Sequence, residues 1–242
     1  FELPAGGLGV AIGVEGRHET YEDDRDPRLD GTIQFISPRT GEATSDVMGS
    51  SPTLDSEGER DVFSAYAEFA VPLVSEEMNV PLVQSLDAQL AVRYEDYDLF
   101  GSVTKPKVAL AWRPVDPLLV RAAWSEGFKA PNLQQQFNRA LRRSNSRTDY
   151  VQCEFLVRTG EIASFSDCDE TQAIVSERQG STELGPEESE NFSAGLVFDA
   201  LFLPAKFGEL QLTVDYWSIE QKDVVGIFGD ENHIIYDYLL RT

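Results

Sequence analysis

The sequence has little basic charge and no long apolar run. Its 242 residues include 20 lysines and arginines against 42 aspartates and glutamates, giving a net charge of −22. Nucleic-acid binding depends on basic side chains that neutralise phosphates, so no DNA or RNA partner is expected. No apolar stretch approaches the roughly 18 residues of a transmembrane helix, and the best candidate, 8–14, is broken by glycine. If this chain crosses a membrane, it does so with strands.

Cysteine and histidine are also scarce, with two residues of each. Neither His18 nor His233 lies at metal-ligand spacing from a cysteine, so no metal site is expected. Cys153 and Cys168 are predicted to form a disulfide, which would close a loop of about 15 residues and contribute roughly 3 kcal/mol. A disulfide implies an oxidising compartment. Two unpaired thiols in a cytosolic loop remain the alternative.

Enzyme motifs are absent as well. The chain has no Gly-x-Ser-x-Gly, no phosphate-binding Walker loop and no His-Glu-x-x-His, so we expect neither an enzyme nor a cofactor. Two acidic groups could bind calcium weakly, but without EF-hand spacing they are better interpreted as solvated charge. These groups are Asp23, Asp24 and Asp26, and Asp167, Asp169 and Glu170.

Seven segments alternate apolar and polar residues with period two. The clearest is LDAQLAVRYE at 86–95, in which every even position is apolar. This pattern predicts half-buried β-strands. The predicted strands are 8–21, 62–71, 86–97, 105–113, 118–126, 190–199 and 209–219, and the long loops between and after them are 22–60, 127–185 and 220–242.

Alternation alone does not show whether the apolar face meets lipid or a protein core. Short turns alternating with long loops are typical of up-and-down outer-membrane barrels. Polar residues on the opposite face, such as Glu68, Arg93, Lys107 and Arg121, suit a water-filled lumen. We therefore predict that residues 1–242 form one all-β domain, an antiparallel up-and-down transmembrane β-barrel segment of about seven strands with long extracellular loops. A soluble β-sandwich is the alternative.

Two sequence blocks, each made of two segments, resemble a known family. GSVTKPKVALAWRP at 101–114 and LLVRAAWSEGFKAPN at 118–132, with LGPEESENF at 184–192 and VDYW at 214–217, closely resemble the barrel of TonB-dependent outer-membrane receptors. The residues of these motifs that we expect to be architectural are Gly127, Phe128, Ala130, Pro131, Glu187 and Asn191.

The resemblance implies a location in the bacterial outer membrane, with lipid and an extracellular solute as partners. Such receptors have an N-terminal plug inside a barrel of about 22 strands and draw energy from the TonB–ExbB–ExbD system through that plug. The plug, the TonB box and the C-terminal strand have no counterpart in this sequence, so we expect a middle piece of the wall.

The second long loop contains the one basic cluster, Arg139, Arg142, Arg143 and Arg147, near Tyr150. It begins within a predicted amphipathic helix at 132–141, which contains Arg139. The cluster could bind an anionic solute, lipopolysaccharide phosphate or neighbouring acidic loops. The favoured function is uptake of a large scarce solute, with a ferric siderophore ahead of an oligosaccharide, cobalamin or haem. A secreted carbohydrate-binding module and a passive porin-type barrel remain alternatives.

Overall fold

The computed structural model describes residues 1–47, 51–200, 208 and 210–241. The first residue of predicted strand 209–219 and the last of predicted loop 220–242 lie outside the described residues. The described residues form thirteen strands: β1 (Glu2–Leu3), β2 (Gly6–Gly7), β3 (Gly9–Asp23), β4 (Gln34–Ile36), β5 (Ala43–Ser45), β6 (Ser56–Val74), β7 (Ser85–Tyr97), β8 (Gly101–Val115), β9 (Leu118–Lys129), β10 (Leu141–Thr148), β11 (Thr171–Arg178), β12 (Glu187–Asp199) and β13 (Gln211–Lys222).

Three α-helices occur in the described part of the chain. They are α1 (Leu133–Phe137), α2 (Tyr150–Thr159) and α3 (Asp230–Arg241), and single 3₁₀ turns lie at Glu76–Met78 and Phe165–Asp167. None of these helices is long and apolar enough to cross a membrane.

The seven predicted strands form one sheet, in the order β13-β12-β9-β8-β7-β6-β3. The five neighbouring pairs from β6 to β13 are antiparallel. The predicted antiparallel wall is therefore confirmed, and within this chain the sheet is open, with β3 and β13 at its edges. Strand β6 begins at Ser56, six residues before its predicted start. Residues 56–61 are largely polar on both faces, so they carry no alternation from which a strand could be predicted.

One face of the sheet is apolar. Phe69, Leu90, Val108, Trp124 and Phe192 stand directly opposite one another in successive strand pairs. Phe69, Leu90, Val108 and Phe192 are 37–44% exposed, so no packed protein core covers them in this structure. A contiguous exposed apolar face of this kind marks contact with a lipid or protein surface.

The opposite face is polar, as the sequence predicts. In the neighbouring row, Glu68, Ala91, Lys107, Ser125 and Asn191 face one another across the same strands. Further along this face, the Arg121 guanidinium binds both carboxylate oxygens of Asp215, at 2.9 and 3.0 Å.

Two expectations for the second long loop are wrong. The loop is not free of strands, because β10 and β11 pair along their whole lengths from Leu141 opposite Arg178 to Thr148 opposite Thr171. The helix predicted at 132–141 ends at Phe137. The sequence of β10 is mostly polar and has no hydrophobic alternation, so apolar periodicity does not predict this strand or its pairing.

The chain divides into two compact units. The sheet unit comprises Phe1–Glu19, Glu59–Pro131 and Glu183–Val224, and the loop unit comprises Thr20–Gly58, Asn132–Thr182 and Val225–Thr242. The assignment of residues 1–242 to one barrel domain stays a prediction.

Candidate solute-binding site in the loop unit

The β10–β11 hairpin presents arginines on one of its two faces. Side chains alternate along a strand, and directly opposite residues share a face. Arg143 and Arg147 therefore lie on the same face of β10, and Arg178, opposite Leu141, lies on that face of β11. We call Arg143, Arg147 and Arg178 the arginine face. Arg178 was not predicted, because β11 itself was not recognised from the sequence.

Asp230, the first residue of α3, lies against this face. Its Oδ2 accepts hydrogen bonds from Asn145 Nδ2 at 2.8 Å and Arg147 Nη2 at 3.2 Å. Its Oδ1 is 3.8 Å from Arg178 Nη2, and the side chain is 5% exposed. An acidic residue in the first turn also interacts favourably with the helix dipole. Burial alone would raise the Asp230 pKa, but the bonds from Asn145 and Arg147 outweigh it and lower the pKa.

Glu231 makes a second carboxylate contact beside it. Its Oε1 accepts a hydrogen bond from the Tyr150 hydroxyl at 2.8 Å, and its Oε2 is 3.8 Å from Arg147 Nε. The hydrogen bond to Glu231, together with burial, raises the pKa of Tyr150. The arginine face is thus held by two carboxylates of the same chain.

The disulfide links α2, the helix that begins at Tyr150, to the following turn. Cys153 Sγ and Cys168 Sγ are 2.03 Å apart, and the link joins α2 to the end of the Phe165–Asp167 turn. The Tyr238 ring of α3 packs between Tyr150 and Phe165, with centroid distances of 5.9 and 6.2 Å. The covalent link therefore helps to hold the two aromatic residues that contact α3.

The remaining predicted arginines lie outside this contact. Arg142 is on the opposite face of the hairpin and pairs with Glu177. Arg139 is exposed, and its backbone N–H donates to Ser56 Oγ at 3.1 Å. Among the described residues, the guanidinium groups of Arg139 and Arg143 have no ion-pair partner. The binding role of all five predicted residues stays a prediction.

Predicted motif residues meet where β9 pairs with β12. A side-chain carbon on Gly127 would lie 2.7 Å from Ser189 Oγ, so this position accepts no larger residue without a shift. Asn191 Nδ2 donates to the same Ser189 oxygen at 3.4 Å. Glu187 stands opposite Lys129, whose ammonium is 3.2 Å from Glu187 Oε2.

The rest of the motif ends in a buried anchor. Pro131 is fully buried, and its carbonyl accepts a hydrogen bond from Arg60 Nη1 at 2.6 Å. Half-buried Ala130 precedes it, and the Phe128 ring meets the edge of Tyr97 at 6.2 Å. These contacts agree with the predicted architectural role of the motif, which nevertheless stays a prediction.

Arg60 is a central residue that the sequence did not reveal. Its side chain is 9% exposed and lies 5.3 Å from the centre of the Tyr97 ring. Two of its nitrogens contact Glu19 Oε2, at 2.7 and 2.6 Å. Arg60 therefore connects the ends of three strands to Pro131, the residue at which the sheet unit passes into the loop unit along the chain.

A cavity of about 640 Å³ lies on the polar face of the sheet. Its lining includes Tyr66, Arg93, Lys105, Lys107 and Tyr97. Such a lining suits water and charged groups, in line with the predicted lumen side.

Among the described residues, no three histidine, cysteine or acidic side chains are grouped to hold a metal ion. Three of the six acidic residues considered for calcium bind other groups of the chain. Asp23 pairs with Arg25 at 2.5 Å, Asp26 accepts a bond from the Arg28 backbone, and Asp167 accepts one from Ser164.

A model of the β-barrel of TonB-dependent receptor-like proteins matches residues 4–234. No curated protein sequence matches the chain.

Solved structures share the fold. The siderophore receptor PirA from Acinetobacter baumannii has a TM-score of 0.56 and 18% identity, over 93% of this chain and 26% of the receptor. A double mutant of the ferric enterobactin receptor PfeA from Pseudomonas aeruginosa has a TM-score of 0.57 and 17% identity, over 91% of this chain and 25% of the receptor. This chain thus spans about a quarter of the length of those proteins.

The family model covers nearly the whole chain, and the open antiparallel sheet with one apolar and one polar face is the wall that such a barrel requires. The family is one of receptors. The chain belongs to the TonB-dependent receptor family, of whose β-barrel it forms a part.

Proposed function

We propose that this chain supplies part of the barrel wall and outer loops of a receptor that takes up an anionic ferric siderophore across the bacterial outer membrane. The plug elsewhere in the whole receptor would couple uptake to TonB–ExbB–ExbD. The apolar face contacts lipid, and the loop unit meets the solute outside the cell. The two fold relatives named above are a siderophore receptor and a ferric enterobactin receptor, which supports this class of solute.

The observation that carries the proposal is the arginine face of the hairpin. Three arginines lie on one face of the hairpin in a chain of net charge −22. The Tyr150 hydroxyl is linked to this face through Glu231, which it shares with Arg147. Guanidinium groups bind oxyanions through charge-assisted, often bidentate hydrogen bonds. Ferric catecholates and carboxylates present such oxygens, whereas a neutral oligosaccharide does not.

Binding by the purified full-length receptor tests this proposal, with ferric enterobactin as the probe and tryptophan fluorescence as the signal. We expect the double variant Arg143→Ala, Arg178→Ala to bind at least about ten-fold more weakly, the equivalent of 1.4 kcal/mol. Arg158→Ala is the matched control, because Arg158 is an exposed arginine of α2 that pairs with Glu154. Equal affinities for the two variants would contradict the assignment of the site.

A second measurement separates the receptor from its alternatives. Iron-limited cells should accumulate ⁵⁵Fe-enterobactin only when TonB is active, and the protein should fractionate with outer membranes. Uptake that persists without TonB would favour a passive porin-type barrel. A full-length protein that stays folded and monomeric in detergent-free buffer would favour a soluble binding module.

A further inference from the structure

The arginine face already holds carboxylates of its own chain. Asp230 lies between Arg147 and Arg178, and Glu231 bridges Arg147 and Tyr150. In the proposed function, an anionic solute would have to contact the same arginines and Tyr150, which these two carboxylates already bind. We call Asp230 and Glu231 the internal carboxylates.

The internal carboxylates satisfy this face incompletely. Three arginines share it with two carboxylates, and Arg143 has no ion-pair partner among the described residues. The Nε atom of Arg147 is buried and has no hydrogen-bond acceptor in the described structure. Buried donors are normally paired, so this N–H group can still accept a hydrogen-bond partner. A solute with more, or better placed, anionic oxygens would satisfy both groups.

None of the apolar side chains of helix α3 is fully buried. Its side chains Tyr236, Leu239 and Leu240 are 58–69% exposed, so the helix buries little apolar surface. Tyr238 and His233 supply its ring contacts. The internal carboxylates supply its polar contacts with the hairpin, and Tyr238 is hydrogen-bonded to Glu154 of α2. Segments with few buried apolar contacts open at low free-energy cost.

We propose that Asp230 and Glu231 are specificity determinants that compete with the solute for the arginine face, so that only a strongly anionic solute displaces α3. This inference rests on the proposed function and adds the element that sets its charge selectivity. A weakly charged or neutral iron complex gains too little from the arginines to replace two carboxylates that are already in place.

The size of the effect follows from population arithmetic. The apparent dissociation constant equals the intrinsic constant divided by the fraction of receptor whose site is free. If the internal carboxylates leave the site free for about 10–20% of the time, their removal strengthens binding about five- to ten-fold. A neutral complex gains little from the arginines and should bind too weakly to be detected whether or not the site is free.

The experiment compares full-length receptors carrying Asp230→Asn with Glu231→Gln, Glu231→Gln alone, and Asp237→Asn. Asp237 is the matched control, because it is an exposed acid of α3 that pairs with Arg241. Ferric enterobactin and a neutral ferric trihydroxamate serve as probes. Heat-modifiable electrophoretic mobility establishes that each barrel is folded, and hydrogen exchange across 230–241 measures the docking of α3.

We expect the double variant to expose α3 to exchange and to bind ferric enterobactin about five- to ten-fold more tightly, with the single Glu231 variant changing in the same direction and the Asp237 variant unchanged. Unchanged or weaker enterobactin binding, with α3 released, would overturn the competitor role. If the arginine variants still lose binding, the proposed function survives that result. Absence of enterobactin binding in the unmodified receptor and in every variant would overturn both.

Discussion

Arg60→Ala tests whether a single buried arginine stabilises the end of the barrel wall. The substitution removes the hydrogen bond to the buried Pro131 carbonyl, both contacts to Glu19 and the contact with the Tyr97 ring. Leaving a buried acceptor unpaired costs about 1–3 kcal/mol. Loss of a partly desolvated cation–π contact adds about 1 kcal/mol.

The ion pair with Glu19 adds little to this sum. Glu19 keeps a second partner, Arg17, whose Nε is 2.5 Å from Glu19 Oε1. Its charge is therefore not left alone, and the penalty of about 3–5 kcal/mol for breaking a buried pair does not apply in full. We expect Arg60→Ala to lower the free energy of unfolding by about 2–4 kcal/mol.

The assay is urea unfolding of the full-length receptor in lipid vesicles, followed by tryptophan fluorescence. Arg17→Ala is the matched control, because Arg17 binds the same glutamate from a side chain that is 33% exposed. It should cost less than about 1 kcal/mol. Equal losses of stability in the two variants, or a cost of less than about 1 kcal/mol for Arg60→Ala, would contradict this role of Arg60.

Three further predictions concern the wall and the loop unit. Leu90→Arg on the apolar face should cost about 2–4 kcal/mol in the same assay, whereas Gln89→Arg on the polar face should be mild, and equal costs would show that the faces are wrongly assigned. Alkylation without reductant should leave the mass of a peptide pair containing Cys153 and Cys168 unchanged, and labelling of either thiol would contradict the disulfide. Because the Asp230 pKa is lowered, its stabilising contribution is present above its ordinary value of 3.8 and is lost as pH falls through the lowered pKa. A spin label on the exposed face of α3 should gain mobility only under such acidic conditions, and equal mobility at neutral and acidic pH would contradict this.

The wall was predictable because its two faces meet different surroundings. Alternation at 86–95 placed Leu90 on one face and Gln89 on the other, and the observed pairing keeps that division across five strands. Strand ends were less predictable. Strand β6 begins at Ser56, where polar residues on both faces leave no periodic signal. Strand β9 continues past Glu126, at which the predicted strand ends, to Lys129.

The site was predictable only in part. The cluster around Arg143 was visible as basic residues close together in an acidic sequence, but Arg178 and Asp230 reach it from 31 and 83 residues further along the chain than Arg147. Without an apolar pattern in β10 and β11, nothing in the sequence indicates their register. Arg60 was hidden for a related reason, since its partners Glu19 and Pro131 are distant in sequence.

The exposed apolar face of the sheet affects how stable the sheet is in water and in lipid. Apolar surface removed from water contributes about 25 cal/mol per Å², and a sheet that leaves Phe69, Leu90, Val108 and Phe192 more than a third exposed forgoes that contribution in water. The backbone groups at the outer edges of β3 and β13 likewise need partners that further strands of a barrel provide. In lipid and within a closed barrel, the same alternation becomes stabilising. The alternation that predicted the strands thus also supports the proposed position of this sheet in the wall of a lipid-embedded, closed barrel.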